Sequence, residues 1–532
     1  MSFSPRERTL AAGVSGVLCA ALGVGIGYLW ALAVDRGSAP LHAVGSTVID
    51  NAPASMREWA IETFGTADKP VLLTSIAIIM AVLAAIAGIA EFKRPPTGLV
   101  MFAVIGAVGV FAALDRPTAV WTWALPTVLG VTVAMGALHV LTRRIQPGAV
   151  GTSPAPDSQF DQSTDTGSGL ESAEGDPGDV ERRRFLVGAS VVGGAVAATG
   201  LGGLALWRTT GSVGADRAAF EVPAAANTVT TTAPDLVDVT PYITPNNDFY
   251  RIDTALTVPQ ITSDSWSLRI HGMVDREVRL DLDQLRRDHT PFDAVVTLTC
   301  VSNSVGGDLI GNATWTGYRM SELLALAGPA PDADMVLSTS ADGWTAGTPL
   351  TALTDNRDAM LAVGMNNEPL PVEHGYPVRM VVPGLYGYVS ATKWVVSLEV
   401  TRFDRAKAYW TTLGWAEKGP IKTGSRIDVP RPNSTVPTGP VTVGGVAWAQ
   451  HRGISGVQVR VDDGPWSDAE VLPPDLIDAW RLWKWDWDAE PGKHQLTVRA
   501  VDGDGQPQIE TEAPPVPDGA TGLHTIGVSV RS

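Results

Sequence analysis

Hydrophobic positions are spread unevenly along this chain, and the unevenness divides it. Leu10–Val34, Val71–Ala90, Gly98–Leu114 and Ala119–Leu141 are near-continuous runs of Ala, Val, Leu, Ile and Gly without an acid, a lysine or an arginine inside them. Each approaches the ~20 residues that cross a hydrocarbon core as a helix. A fifth run, Phe185–Trp207, follows a long polar gap. Beyond Trp207 the pattern changes. Val295–Thr299 alternates as a strand does, and past Arg426 the segments "VTVGGVAWAQ", "VQVRVDDGPW", "RLWKWDWDAE" and "HQLTVRAVDGDG" alternate between Gly and Asp turns. That period of two predicts a β-sandwich of about 100 residues after the Pro-rich joint "VPRPNSTVPTGP". An N-terminal α-helical membrane region of about five transmembrane helices is therefore expected ahead of a soluble part.

Charge gives the helices a direction. Arg6 and Arg8 precede the first run, Lys93 and Arg94 stand between the second and third, and Arg143 and Arg144 follow the fourth. If all four runs cross, the three clusters share one side, which the positive-inside rule makes the cytoplasm. Gln146 to Glu181 holds eight acids and no base among Ser, Gly and Pro, and reads as an acidic disordered cytoplasmic linker. The fifth run is preceded by "ERRRFLVGAS", in which Arg182, Arg183, Phe185 and Leu186 follow the pattern RR-x-F-L. This resembles a twin-arginine export signal, an address for proteins that cross a membrane already folded. Either as an address or as plain positive-inside charge, it sends everything after Trp207 outside, so the expected location is the plasma membrane, multi-pass, with an extracytoplasmic soluble part.

At 532 residues the chain exceeds one compact domain, and its net charge of −17 argues against a nucleic-acid partner. It has two cysteines, Cys19 within the first run and Cys300 in "FDAVVTLTCVSNSVGGDLIGNATWTG". An exported domain normally pairs its cysteines, so the lone Cys300 is informative. It could be a small buried hydrophobe, a nucleophile beside a histidine base, or a metal ligand. Zinc fits poorly, because no cluster of histidines accompanies it.

Cys300 ends a strand of pattern Thr-x-x-Cys-x-x-Asn, with Asn303 as the last member, just where a loop of small, polar and glycine residues begins; "WTGYRMSELLALAG" follows. This arrangement resembles the molybdopterin-dependent oxidoreductases of the sulfite oxidase family. The resemblance runs from about Pro241 to the C-terminus. It implies an α+β molybdopterin domain followed by an immunoglobulin-like sandwich that commonly dimerises, so a homodimer is an expected partner arrangement. It also implies a molybdenum-molybdopterin cofactor with Cys300 as the metal's thiolate, a soft donor suited to a metal that changes oxidation state. In "TPNNDFYRIDTALTVP" it places Tyr250 beside the cofactor and Arg251 facing the metal and substrate. In "NNEPLPVEHGYPVRMVVPGLYGYVSATKW" it places His374, Arg379 and Lys393 on cofactor-binding positions, and in "STSADGW" it does the same for Asp342. Taken singly, these are ordinary loop and surface residues; their order along one chain carries the resemblance.

The sequence also departs from the sulfite-oxidising members. An arginine five positions after the cysteine is Val305 here, a tyrosine after the cofactor lysine is replaced by Trp415, and "APPVPDGATGLHTIG" brings no arginine near the C-terminus. The expected reaction is two-electron oxygen-atom transfer on a small substrate other than sulfite, with Arg251, Cys300 and Trp415 as catalytic residues. The alternatives are an S- or N-oxide reductase and, of another class, a non-catalytic surface binding module. His139 is the only histidine in the apolar runs, and no cysteine set is present, so neither haem nor an iron–sulfur cluster is expected and the electron partner should be a separate molecule. The expected divisions are a four-helix transmembrane region (1–145), the acidic linker (146–181), the twin-arginine-like fifth helix (182–210), a second linker (211–235), the molybdopterin domain (236–427) and the C-terminal domain (428–532).

Overall fold

The computed structural model describes residues 4–53, 56, 59, 63–64, 68–116, 119–145, 177–209, 212–229, 231–234 and 236–531. The chain forms two compact units, residues 1–211 and 212–532.

The first unit is helical: α1 (Pro5–Val34), α2 (Pro40–Asn51), α3 (Asp68–Lys93), α4 (Thr97–Leu114), α5 (Leu125–Ile145) and α6 (Pro177–Thr209). Helix α1 starts at a capping box. The Ser4 hydroxyl accepts from the Glu7 amide, and the Glu7 carboxylate accepts from the Ser4 amide, so two orphan amides of the first turn are satisfied. Among the described residues five helices are long and apolar enough to cross a membrane, namely Pro5–Val34, Lys69–Lys93, Thr97–Leu114, Trp121–Ile145 and Arg182–Gly203. The short α2 between the first two was not legible as a separate apolar run. Of the expected acidic linker, 146–176 lies outside the described residues, and Pro177–Glu181 forms the first part of α6.

Small residues hold these helices together. A Cβ on Gly23 of α1 would lie 2.7 Å from the Gly130 carbonyl oxygen and 2.9 Å from the Ala134 Cβ of α5, and Gly16 of α1 meets the backbone of Ala84 and Gly88 on α3. In lipid no water drives association, so helices gain contact energy by letting backbones approach at such positions. One end of the bundle is closed by Ala12, Ile145 and Phe185 with Phe92 and Ala189 against them. Arg8, Lys93, Arg94, Arg143, Arg144 and Arg182–Arg184 all stand near these residues in sequence, so the basic clusters share that end.

The second unit holds two five-stranded sheets in its first part. One has the order β2 (Val278–Asp281), β1 (Ser267–Gly272), β10 (Val395–Thr401), β5 (Met335–Ser340), β6 (Thr345–Pro349), with β1 and β10 parallel. The other runs β3 (Phe292–Thr299), β4 (Ile310–Arg319), β7 (Met360–Met365), β8 (Glu368–Pro369), and β9 (Arg379–Val381) pairs with β7. The last hundred residues form an eight-stranded sheet of order β11 (Gly424–Val429), β13 (Gly439–Trp448), β16 (Arg481–Ala489), β15 (Ser467–Val471), β14 (Ile454–Val461), β17 (Gly492–Asp502), β18 (His524–Arg531), β12 (Thr435–Pro437). Val443, Val457, Val459, Trp483, Trp487, Leu496 and Val498 fill its core.

Strand β3 is the element that positions Cys300. Seven of its eight residues are buried, so both faces are covered and the alternation seen in sequence is that of a core strand. It is clamped from the C-terminal part of the chain. The Thr297 hydroxyl donates to Asn312 Oδ1 at 2.8 Å and accepts from the Trp480 amide at 2.8 Å. Gln450 Nε2 donates to the Thr297 carbonyl at 3.1 Å and to the Thr299 hydroxyl at 3.2 Å. Trp448, Trp480 and Leu482 belong to the same buried cluster as Val295, Val296 and Leu298, so the two halves of this unit share one core. A strand fixed this way delivers its last residue to a defined place.

Candidate active site

The residue after β3 is Cys300. Its amide donates to the Leu309 carbonyl at 2.9 Å, and the Leu309 amide donates to Asn303 Oδ1 at 2.9 Å, which closes the loop 300–309 on itself. Arg426 braces this loop from β11, donating to the Gly307 carbonyl at 2.8 Å while paired with Asp428 at 2.6 Å. The Cys300 sulfur thus rests on a core strand and a cross-braced loop, and it faces a cavity.

That cavity is lined by Tyr250, Ile252 and Asp253 from the segment before β1, by Cys300, by Asp342 and Trp344 from the β5–β6 turn, by His374, Arg379 and Lys393, and by Tyr388, Trp410 and Trp415. Seven of the nine residues singled out in the sequence therefore line one space: Tyr250, Cys300, Asp342, His374, Arg379, Lys393 and Trp415. Two do not. Asn303 accepts from the Leu309 amide through Oδ1 and so shapes the cysteine loop. Arg251 is 41% exposed and its Nε donates to Asp253 at 2.8 Å, while the cavity position in this segment is taken by Ile252. Tyr250, Ile252 and Asp253 line the cavity, and Arg251 between them does not, its guanidinium being drawn to the Asp253 carboxylate. Lys422 and Ser425 also lie outside it, bound to Asp518 and Gln508.

Electrostatics distinguish the two ends of the lining. Arg379 is 5% exposed, and its guanidinium donates only to the backbone carbonyls of His374, Met380 and Ala391. Among the described residues no carboxylate pairs with it. Burial lowers its pKa to about 10, so it keeps its charge at neutral pH. His374 is buried edge-on to Phe249, with ring centroids 5.6 Å apart; burial, then Arg379 and Lys393, push it down to about 3, leaving a neutral imidazole. Lys393 donates to Asp253 at 2.8 Å and to the Glu373 carbonyl at 3.1 Å. Burial pushes the Cys300 thiol up, against hydrogen bonds from Ser302 that lower it. The partly exposed remainder is aromatic: Trp415 packs on Tyr388 at 5.9 Å and edge-on to Trp410 at 6.2 Å.

A buried guanidinium without a carboxylate is stable only when an anion or polar ligand completes it. A thiol at the wall of the same cavity is a soft donor whose proton a metal would displace. A neutral imidazole supplies a ring-edge hydrogen bond. This donor set fits an anionic pterin that brings its own metal and poorly fits a bare cation, for which the described residues offer no group of three or more His, Cys, Asp or Glu.

Comparison with known proteins agrees. Residues 255–410 match the family described as oxidoreductase molybdopterin binding domain. Human mitochondrial sulfite oxidase is 30% identical over 325 residues, covering 51% of this chain and 58% of the human protein, so the match spans a little over half of that relative's length. The nitrate reductase [NADPH] of Emericella nidulans is 31% identical over 183 residues, 30% of this chain and 21% of the reductase. Among solved structures, the sulfane dehydrogenase SoxCD of Paracoccus pantotrophus is 26% identical, with a TM-score of 0.48, covering 54% of this chain and 81% of that one. Residues 255–410 of this chain are thus similar to a molybdopterin-binding oxidoreductase domain.

Sequence reasoning missed Ile252, Asp253, Trp344, Tyr388 and Trp410. No alternation within "FYRID" could have found Ile252 and Asp253, which are adjacent in the chain and both line the cavity. The three aromatics come from one turn and two short helices, and no sequence spacing joins them.

Proposed function

We propose that this chain is a membrane-anchored, extracytoplasmic molybdenum oxidoreductase that moves an oxygen atom, with two electrons, to or from a small neutral organic substrate and not sulfite. The observation that carries the substrate reading is the lining of the cavity. Its cations, Arg379 and Lys393, are buried or nearly so, whereas its more exposed lining, which includes Ile252, Trp410 and Trp415 beside Thr254, Ser302 and Asp342, carries no positive charge. When bound, the cofactor supplies a metal centre able to exchange an oxygen atom at the cost of two electrons. Cys300 would hold that metal, while Tyr250, His374, Arg379, Lys393 and Asp342 would hold the pterin. Trp415 and Tyr388 exclude water and give an apolar group a flat surface, and the Trp415 indole N–H is a donor without the acidity of a phenol. Arg251, expected to face the substrate, is held off by Asp253, which strengthens the case against a dianion.

Sulfite binding would require converging cations. Two arginines and a phenol found in sulfite-oxidising relatives are Val305, an arginine-free C-terminal segment and Trp415 here. At about 1.5 kcal/mol or more for each lost charge-assisted contact, affinity for sulfite should fall by about a thousandfold or more. The test is molybdenum-loaded protein assayed in parallel with sulfite and a one-electron acceptor, and with a neutral S-oxide and a reduced dye. Turnover of the neutral oxide with no saturation at micromolar sulfite is expected; rapid turnover saturating at micromolar sulfite overturns the reading.

For location, the support is the five helices of membrane-crossing length with basic clusters at one end. That end lies in the cytoplasm, and α6 carries the catalytic unit outward behind a twin-arginine address. The C-terminal part is an immunoglobulin-like sandwich that joins two copies, and electrons pass to or from a separate carrier.

A further inference from the structure

Asp253 was not among the residues the resemblance pointed to, and an acid is out of place in a pocket for an anionic cofactor. Its carboxylate is 5% exposed and lines the cavity. The same oxygen, Oδ2, accepts from Lys393 Nζ and from Arg251 Nε, each at 2.8 Å. Lys393, 11% exposed, is held from a second direction by the Glu373 carbonyl and lies over the Trp394 ring, 4.8 Å from its centroid. Arg251, by contrast, is held outside.

We propose that Asp253 is the positioning residue of the cofactor pocket: it keeps Lys393 charged and aimed into the cavity, and it draws Arg251 out of it, so that the pocket presents two cations and leaves room for Ile252. The inference rests on the reading that this cavity takes molybdopterin. A lysine taken from water loses its charge unless a counter-ion is near. The charged and titratable groups around Lys393 are Asp253 and Arg251 from the segment before β1, Glu373 and His374 from the turn before β9, Arg379 from β9, and Asp342 from the β5–β6 turn. Of these, Asp253 alone is bonded to it by its side chain. Burial brings Lys393 down to about 8; Asp253 raises it, and Arg379 and Arg251 lower it.

An anionic ligand prefers protonated Lys393, so affinity is level below the lysine's pKa in the empty pocket and falls by up to tenfold per pH unit above it. In the wild-type chain the fall begins near pH 8. Asp253→Asn removes the contribution that holds Lys393 up, so the fall should begin at a lower pH. It also removes a negative charge facing the ligand, so at pH 6, with Lys393 protonated in both proteins, the variant should bind at least as tightly as wild type.

The experiment uses the full chain in detergent, made in a host that cannot synthesise the cofactor. Molybdopterin is added between pH 6 and pH 9, and bound pterin is measured by its fluorescence after oxidation and release. Expected are curves that cross: Asp253→Asn equal or better at pH 6 and at least about threefold weaker at pH 8.5. Asp253→Asn/Lys393→Arg, whose guanidinium stays charged, should lose the break. A loss of equal size at every pH would mean that Asp253 only supports the fold, and it would overturn the proposal; an unchanged profile would do the same. If Asp253→Asn does not fold, Asp253→Asn/Lys393→Met, with no charge left unpaired, should fold and show no break between pH 6 and pH 9; a break that survives there overturns the proposal. Failure of the wild-type chain to bind molybdopterin at any pH would instead remove the reading on which it rests.

Discussion

Cys300→Ser should lose turnover by more than about a hundredfold while the chain stays folded. Loss of groups that merely orient a metal's ligands reduces affinity or activity by about 10–100-fold, and loss of the ligand itself should exceed that. Serine keeps the size of the side chain but replaces a soft donor with a hard hydroxyl that remains protonated. The fold should tolerate it. Cys300 is 9% exposed and ends a strand fixed through Thr297, Thr299 and Trp315, none of which involves its sulfur. A serine hydroxyl there meets the same Ser302 donors, so the cost should stay below the about 1–3 kcal/mol of an unpartnered group, which a domain of this size can absorb. Because Arg379, His374 and Lys393 are untouched, part of the pterin should be retained while metal-dependent activity vanishes. Thermal melting, pterin content and turnover measured together check this; full turnover in Cys300→Ser would mean that the sulfur is not a ligand.

The second large effect concerns delivery. Arg182 and Arg183 are exposed at the start of the last long helix, next to Phe185, which is buried against Ala12 and Ile145. Changing both arginines to lysine preserves the charge, and with it the positive-inside preference. It destroys the paired guanidinium pattern that an export receptor would read. The catalytic unit should then remain on the cytoplasmic side almost completely, while α1 to α5 insert as before. Protease added from outside to intact cells should cut the catalytic unit of the wild-type chain and leave the double variant whole. Equal cleavage of both would show that ordinary charge rules suffice.

Much of this molecule was legible because its signals are local. Unbroken apolar runs predicted the long helices, closely for Thr97–Leu114 and Asp68–Lys93, while the last helix begins at Pro177, a polar turn or two before its run at Phe185. Short α2 escaped because a helix of that length leaves no run. In the soluble part, period-two patterning located β3 and most of the late strands. Trp480, Trp483 and Trp487 are buried, as packing residues should be, and Trp485 is half-buried against the same core.

The site was legible only in part, and the misses have a physical pattern. Cys300 stood out as a lone cysteine, whereas His374, Arg379 and Lys393 are ordinary residues taken singly and could be named only through their order along the chain. Arg251 and Asn303 lie in the right segments but outside the cavity lining, Arg251 paired with Asp253 and Asn303 accepting from the Leu309 amide. Trp344 comes from the β5–β6 turn, while Tyr388 and Trp410 stand on short helices far apart in the chain. Asp253 carried no signal in the sequence, because its two partners on one carboxylate oxygen are far apart in the chain.

A cofactor held beside Cys300 is the central claim, and its most direct measurement is the metal and pterin content of the purified chain from a host that makes and inserts molybdopterin. About one molybdenum and one pterin per chain is predicted, with molybdenum depleted in Cys300→Ser. Clean, folded wild-type protein containing neither would contradict the central claim and leave the fold as a surface binding module.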